Sequence, residues 1–446
     1  MSSAAKTPHN AILLGLVLGA AVGCAVNALL IPVDTPERVA LAAAVGNGLA
    51  LPPQAPALVE FVVEKVAKPV GKLFMNLLFL PVIPLVFASL AVGVTKLGGG
   101  GNLGRVGVKT VGYFLVTTAF AATIGLGLVN AVRPGDAIDA EKREQLKERY
   151  AKDAKDQSAK AAKFDVYTFV NMVPANPLKA VVEKDMLGII FTAILVGVAL
   201  GRIDPTRAAP IIQLLEGINQ VAEFVIRLAM RVAPVGVFAL IFATTAEFGY
   251  QLLVALGAYV LTVLGGLAVH LFVVLPLLVY FLGGMNPLDF FRKIKATMVT
   301  AFSTSSSSAT LPTALKNAEE ELAVPKPIAN FVLPLSASMN HNGTALFEAV
   351  TVLFLAQAFQ VTLSIDQQLV VLLLCILTAT GMAGVPGGSL PLIGQVLLVV
   401  NVPPDAIALI IGVDRILDMC RTTVNVVADM TTAVFVARSE RGREIV

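Results

Sequence analysis

Charge is scarce in this chain. Of its 446 residues only 14% are Asp, Glu, Lys or Arg while 56% are hydrophobic, and the mean hydropathy of +0.81 is far too high for a soluble globular protein of this length. That excludes a water-soluble domain and leaves a polytopic membrane protein. The net charge is small as well, +3 at neutral pH, so nothing argues for a nucleic-acid partner. Cysteine is nearly absent: Cys24, Cys375 and Cys420 lie in apolar segments without metal-ligand spacing and read as packing residues. Of three histidines, His9 and His270 read as incidental and His341 falls in a polar break. Ser307 has no evident histidine partner and no nucleophile–base pair or metal-ligand cluster emerges, so neither an enzyme nor a bound cofactor is expected.

What is present is apolar length. Runs near 11–31, 73–95, 107–132, 179–201, 217–246, 253–283, 344–362 and 405–437 reach the ~20 residues that cross a hydrocarbon core. The first run lacks a small-residue cleavage site and is read as a transmembrane helix rather than a signal peptide. Lys6 precedes it, and Arg438, Arg441 and Arg443 follow the last run. By the positive-inside bias both termini face the cytoplasm, and eight spans satisfy the even count this requires. Between them, residues 136–165 carry eight acidic and eight basic side chains and must lie in water, as a charge-laced helix or a loop.

Against this background the stretch Asp414 to Asp429 stands out. At ~100° per residue, Asp414, Asp418, Arg421, Asn425 and Asp429 fall within an arc of roughly 80° on one helical face, with Thr422 at its edge. Ionisable groups are costly in lipid, which makes a functional role the default expectation. A guanidinium one turn from a carboxylate suits a ligand bearing both a carboxylate and an ammonium group: Arg421 forks onto the first and Asp418 pairs with the second. A small amino acid, with or without cations, is the natural guest; a self-neutralising structural cluster is the alternative.

The second half of the chain is interrupted three times by small and polar residues, at Ser303–Pro312, Asn340–Thr344 and Gly381–Ser389. The flanking apolar arms, such as 369–378 and 390–401, are too short to span. Two re-entrant hairpins with a broken helix between them fit, because irregular backbone at membrane depth is tolerated only where it lines a cavity or is buried in protein. Paired discontinuous helices of this sort mark the substrate site of a secondary transporter.

These residues resemble the dicarboxylate/amino acid:cation symporters, a family that includes archaeal aspartate transporters, bacterial glutamate transporters and mammalian excitatory amino acid transporters. The resemblance runs through Leu103–Lys109, Val173–Pro177, Ser305–Pro312, Asn340–Leu346, Ala383–Pro386 and Asp414–Asp429. It implies an all-α homotrimer with eight transmembrane helices and two re-entrant hairpins, working as an elevator. Scaffold helices would occupy 1–102 and 166–252. The mobile transport domain would comprise 103–135 and 253–446, and 136–165 would form the exposed loop. By the same resemblance an acidic amino acid would meet Ser306 and Ser307 at the first hairpin tip, Thr344 in the broken helix, and Val385, Gly388 and Ser389 at the second tip. Asp418 would take its amino group, Arg421 its side-chain carboxylate, and Thr422 and Asn425 its α-carboxylate. Having both Asp418 and Arg421 favours aspartate or glutamate over neutral amino acids or plain dicarboxylates.

The resemblance also implies cation sites, and they match unevenly. Asn340, Asn425 and Asp429 supply one sodium site. A second rests on backbone carbonyls near Ser338, Ala379, Thr380 and Met382. The third reads Phe114, Thr117, Thr118, Asn340 and Asn342, lacking the family's tyrosine and aspartate, and without an anionic ligand hard Na⁺ is held more weakly. His341 replaces a methionine. Glu348 stands where sodium-only relatives have glutamine and proton-cotransporting ones glutamate. Burial favours the neutral form of a carboxyl, so the expected coupling is to protons through Glu348, helped by His341, with sodium coupling as the alternative. Where relatives carry a further arginine, at the first hairpin or one residue after the aspartate, this chain has Ser305 and Met419; Arg415, one helical turn before Met419, is expected to reach the same region or to pair with Asp414. A different class of function, an anion channel, would show conductance without saturable uptake. The setting expected is a bacterial inner membrane, with lipid and further copies of the chain as partners.

Overall fold

The computed structural model describes residues 9–30, 61–95, 102–138, 173–182, 185–248, 251–382, 384 and 386–441. Within them all regular structure is helical. The helices are α1 (His9–Leu30), α2 (Lys68–Phe79), α3 (Val82–Thr95), α4 (Asn102–Val132), α5 (Pro177–Val182), α6 (Met186–Leu200), α7 (Pro205–Phe248), α8 (Gln251–Val269), α9 (Pro287–Lys293), α10 (Lys295–Thr304), α11 (Ser307–Glu320), α12 (Lys326–Met339), α13 (Asn342–Ala358), α14 (Ile365–Thr380), α15 (Leu390–Val399) and α16 (Ile411–Ser439). Most of the charged segment 136–165 lies outside the described residues.

Among the described residues, four helical stretches are by length and composition apolar enough to cross a membrane: Val63–Thr95, Arg105–Ala137, Pro205–Ala243 and Leu253–Gly283. Large apolar side chains such as Leu80, Val235, Leu261, Phe272 and Phe281 are exposed on them, as expected where lipid is the solvent. The other expected runs take different forms. Residues 344–362 become the 17-residue α13, which starts at the helix break and ends before Gln360, whose φ is +56°. The run at 217–246 extends to a 44-residue helix that passes through Pro210 and Pro234. The 405–437 run begins instead as a 3₁₀ turn at Pro404–Leu409 before α16. Proline also shapes α8, which continues to Gly283 through π-helical turns at His270–Val274 and Val279–Gly283 around Pro276, since a residue without an N–H forces a re-spacing of the hydrogen-bond ladder.

Helix α1 packs along α7, and α3 packs against α6 and α7. Three glycines one turn apart let α1 approach closely. A Cβ on Gly15, Gly19 or Gly23 would stand 2.5, 2.8 and 2.8 Å from the carbonyl oxygens of Pro234, Phe238 and Phe242, the small-residue packing that membrane helices use in place of hydrophobic drive. In the rest of the molecule α16 is the central element. It touches α10, α11, α12, α13 and α8, and most of its length is buried. Helix α13 lies between α16, α14 and α4.

The far end of α16 is tied down electrostatically. Glu440 is buried and receives Arg105 Nη2 at 2.8 Å and Lys109 Nζ at 2.5 Å, both from the first turns of α4. Arg438 donates to the carbonyls of Phe281 and Leu282 at 3.2 and 3.3 Å, capping the end of the α8 segment at Gly284, whose φ is +63°. The hydrogen bond from Arg105, followed by that from Lys109, holds the Glu440 carboxyl below the usual glutamate range. A lowered folded value means that the carboxylate stabilises the fold above the ordinary glutamate range and loses that contribution as the pH falls through the lowered value. Glu440→Gln should therefore lower the unfolding midpoint in detergent at neutral pH, and the gap from the native chain should shrink as the pH falls through the ordinary glutamate range and vanish below the lowered value; a gap independent of pH would rule out the ion pair as its cause.

Candidate functional site

Three breaks in helix meet beside the charged face of α16. The first, between α10 and α11, falls at Ser305, whose φ of +48° ends α10. Ser306 then N-caps α11 through a bond from the Ala309 N–H. The second lies between α12 and α13, where Asn340 and His341 leave helical geometry. The third is the tip from Gly381 to Ser389 between α14 and α15, of which Ala383 and Val385 lie outside the described residues. The two tips touch. Ser306 Oγ donates to the Gly384 carbonyl at 2.7 Å, and a Cβ on Gly384 would lie 3.0 Å from Ser307 Cβ.

On α16 the expected face is present and buried. Asp414, Arg415, Asp418, Arg421, Asn425 and Asp429 are each at most 4% exposed. Arg421 is the hub: its Nη1 lies 2.5 Å from Asp414 Oδ1 and its Nη2 3.0 Å from Asp418 Oδ1, while the guanidinium sits 4.2 Å over the Phe347 ring. Asp418 Oδ2 accepts the Gly387 N–H of the tip at 3.1 Å and lies 3.4 Å from Arg415 Nη1. Arg415 thus lies against Asp418. Asn425 closes the lower half: its Oδ1 accepts the N–H groups of Gly343 (2.7 Å) and Thr344 (3.3 Å) and its Nδ2 donates to Thr344 Oγ1 (3.1 Å). Ser307, Gly388, Ser389 and Thr422 are buried on the same elements, and Ser389 Oγ has no partner among the described residues.

Of the expected cation positions, Asn340 and Asp429 meet: Asn340 Nδ2 donates to Asp429 Oδ1 at 3.0 Å. Asn340 Oδ1 is buried without a partner among the described residues, an orphan acceptor beside a carboxylate, which is the donor set a hard monovalent cation takes. Thr118 and Thr117 both point at Asn342 Oδ1, at 2.8 and 3.4 Å. Phe114 is buried nearby on α4, while the phenol of its neighbour Tyr113 turns to Thr431 at 3.2 Å. Glu348 accepts the Thr378 hydroxyl at 2.6 Å on Oε2, and its Oε1 has no partner among the described residues. His341 Nδ1 lies 2.8 Å from the carbonyl of Ala379.

His270 corrects the reading of that residue as incidental. It is fully buried and its Nε2 lies 3.3 Å from Asn342 Nδ2, so it belongs to the Thr117–Thr118–Asn342 group. The signal was available, because an ionisable side chain inside an apolar run needs a reason to be there. Phe347 and Thr378, which hold Arg421 and Glu348, carried no signal, since an aromatic and a threonine in apolar helices are ordinary packing residues.

Gly343 sets how closely the broken helix approaches α16. A Cβ there would lie 2.6 Å from the Arg421 carbonyl oxygen and 3.1 Å from Arg421 Cα. Gly343→Ala should lower the unfolding midpoint, since overpacking of this kind costs about 1–3 kcal/mol. Gly112→Ala, with nothing within 4 Å of its added Cβ, should not. Equal midpoints for the two variants would contradict the close packing.

Comparison with known proteins places the chain in a family. A family model described as the sodium:dicarboxylate symporter family matches residues 9–439. The chain is 36% identical over 374 residues to the proton/sodium-glutamate symport protein of Bacillus subtilis (strain 168), covering 84% of this chain and 86% of that one. It is 33% identical over 381 residues to the proton/glutamate-aspartate symporter of Escherichia coli (strain K12), covering 85% and 87%. To the neutral amino acid transporter B(0) of Mus musculus it is 32% identical over 398 residues, covering 80% and 72%. A helical membrane protein with its charged residues gathered between broken helices, matched over nearly its whole length, this chain belongs to the sodium:dicarboxylate symporter family.

Proposed function

We propose that the protein is a symporter of L-aspartate and L-glutamate, coupled to protons through Glu348, with His341 assisting by position and not as a carrier of the coupled proton. The observation that carries the reading is Arg421, buried between Asp414 and Asp418 and facing a tip that offers the Gly387 N–H. In that state the guanidinium is neutralised by the protein's own carboxylates. An incoming side-chain carboxylate competes for its fork, and the ammonium group takes Asp418, so each charge of the ligand exchanges for one already present.

Charge balance then demands a co-transported cation. Asp414, Asp418 and Asp429 against Arg415 and Arg421 leave one excess negative charge on the buried face of α16. An acidic amino acid brings another. Uncompensated charge at membrane depth is prohibitive, so substrate moves only with protons or metal cations. Glu348, when ionised, adds a further negative charge beside this face, and a proton removes it at a carboxyl that no cationic group bonds directly among the described residues. The orphan Asn340 Oδ1 beside Asp429 favours a second reading, in which Na⁺ there supplies the charge. The names of relatives carry both ions.

The proposal extends to the transport cycle. The chain works as a homotrimer in the bacterial inner membrane with both termini cytoplasmic. Eight spans and two re-entrant hairpins, α10–α11 and α14–α15, make up each copy; α1–α3 with α5–α7 form the scaffold, and α4 with α8–α16 form the moving body. The extensive packing of α1 and α3 on α7, and of α13 on α16 and α4, supports that division, with α1 also meeting α16 across it. The tip at Gly381–Ser389 is the gate.

The test is radiolabelled L-aspartate uptake into proteoliposomes, comparing an inward proton gradient in Na⁺-free buffer with an inward Na⁺ gradient at symmetric pH. Uptake on the proton gradient alone is expected; strict dependence on Na⁺ would move the coupling to Asn340 and Asp429, and no saturable uptake under either would overturn the substrate. Glu348→Gln should abolish pH-driven uptake while preserving counterflow exchange, and full pH-driven uptake in that variant would refute its role. Arg421→Ser should reduce kcat/KM for aspartate about 100-fold, the scale of a lost charge-assisted pair, and an unchanged value would remove Arg421 from the site.

A further inference from the structure

A helix that ends inside a protein leaves its last carbonyls without intrahelical donors. Helix α14 ends in this way. The Gly381 N–H serves the carbonyls of Leu377 and Thr378, at 3.1 and 3.0 Å. The carbonyl of Ala379 comes next, on a residue with no exposed surface, where an unpaired acceptor carries its full desolvation penalty. It is met from another helix, by His341 Nδ1 at 2.8 Å. A carbonyl only accepts, so Nδ1 must carry the ring proton and Nε2 is left as an acceptor. Seven residues along, two turns of α13, Glu348 takes the hydroxyl of Thr378. The broken helix therefore grips the closing turn of α14 at two consecutive residues.

We infer that His341 is a positioning residue for ligand capture: by capping the Ala379 carbonyl from across the helix break, it fixes where α14 stops and so where the following tip presents its backbone. The link to the ligand is short. Gly381 ends the helix six residues before Gly387, whose N–H is held by Asp418. Between them Gly384 is held by Ser306. Both bonds require the tip to leave α14 at a set point. The role uses the neutral ring as a donor through Nδ1, so an amide side chain can replace it. A methionine fills similar volume but donates nothing and leaves the carbonyl orphaned. The role is also separate from carrying a coupled proton, and the uptake part of its test rests on the transport reading above.

Two measurements on the full chain decide it. In hydrogen–deuterium exchange of the purified protein without substrate, His341→Met should speed exchange of amides from Gly381 to Ser389 about tenfold, the factor carried by one buried hydrogen bond of ordinary strength. His341→Gln should stay close to the native rate. In L-aspartate uptake, His341→Met should raise KM by a similar factor with kcat largely kept, and His341→Gln should restore KM while retaining pH-driven uptake. Unchanged exchange in His341→Met, or a His341→Gln variant as fast as His341→Met, would overturn the cap. Loss of pH-driven uptake in His341→Gln with native exchange would overturn it in favour of a proton-carrying ring. If the native chain takes up no aspartate, the transport reading fails and the exchange rates still decide the cap.

Discussion

Arg421 is the constraint around which the rest is arranged. A guanidinium cannot shed its proton, so once it lies inside the membrane body it must be paired, and the pairing reaches into every neighbouring element. Asp414 and Asp418 come from its own helix, Phe347 from the broken helix lies under its plane, and Gly343 is small enough to let that helix approach its backbone. The tip of α14–α15 is drawn in because Asp418, shared between two arginines and Arg421's partner, has an oxygen left to accept the Gly387 N–H. Each of these contacts is one that a charged ligand can take over without leaving a charge alone.

Helix breaks supply what intact helices lack. An unbroken helix spends its N–H and C=O groups on itself, and only at termini are they free for a partner. Here three termini converge. Asn425 bonds the second and third amides of α13, Ser306 caps α11 while holding Gly384, and His341 closes the end of α14. At these three points side chains take up backbone groups, which stay within reach of a ligand or ion.

Much of this was legible before any coordinates. Helical periodicity put Asp414, Asp418, Arg421, Asn425 and Asp429 on one face, and the interruptions at Ser303–Pro312, Asn340–Thr344 and Gly381–Ser389 marked the three breaks, because chains tolerate such residues in apolar runs only for a reason. What periodicity could not show was partnership between segments far apart. The pairing of Thr378 with Glu348, of Asn342 with both threonines of α4 and His270, and of Glu440 with Arg105 and Lys109 all join distant stretches. For His270 the apolar run around an ionisable ring signals a role, while its partner Asn342 lies on a distant segment that periodicity does not reach.

The sequence by itself determined the solvent, through hydropathy; the helical class, through apolar length; and the chemistry of the site, through the residue types on α16, since charge and periodicity are local properties of a chain. Only the tertiary structure decided that Arg415 leans on Asp418, that Asn340 keeps a free oxygen beside Asp429, and that His341 donates to Ala379. Those outcomes depend on which carbonyls and carboxylates are left unpaired after helices pack, and no single segment carries that information.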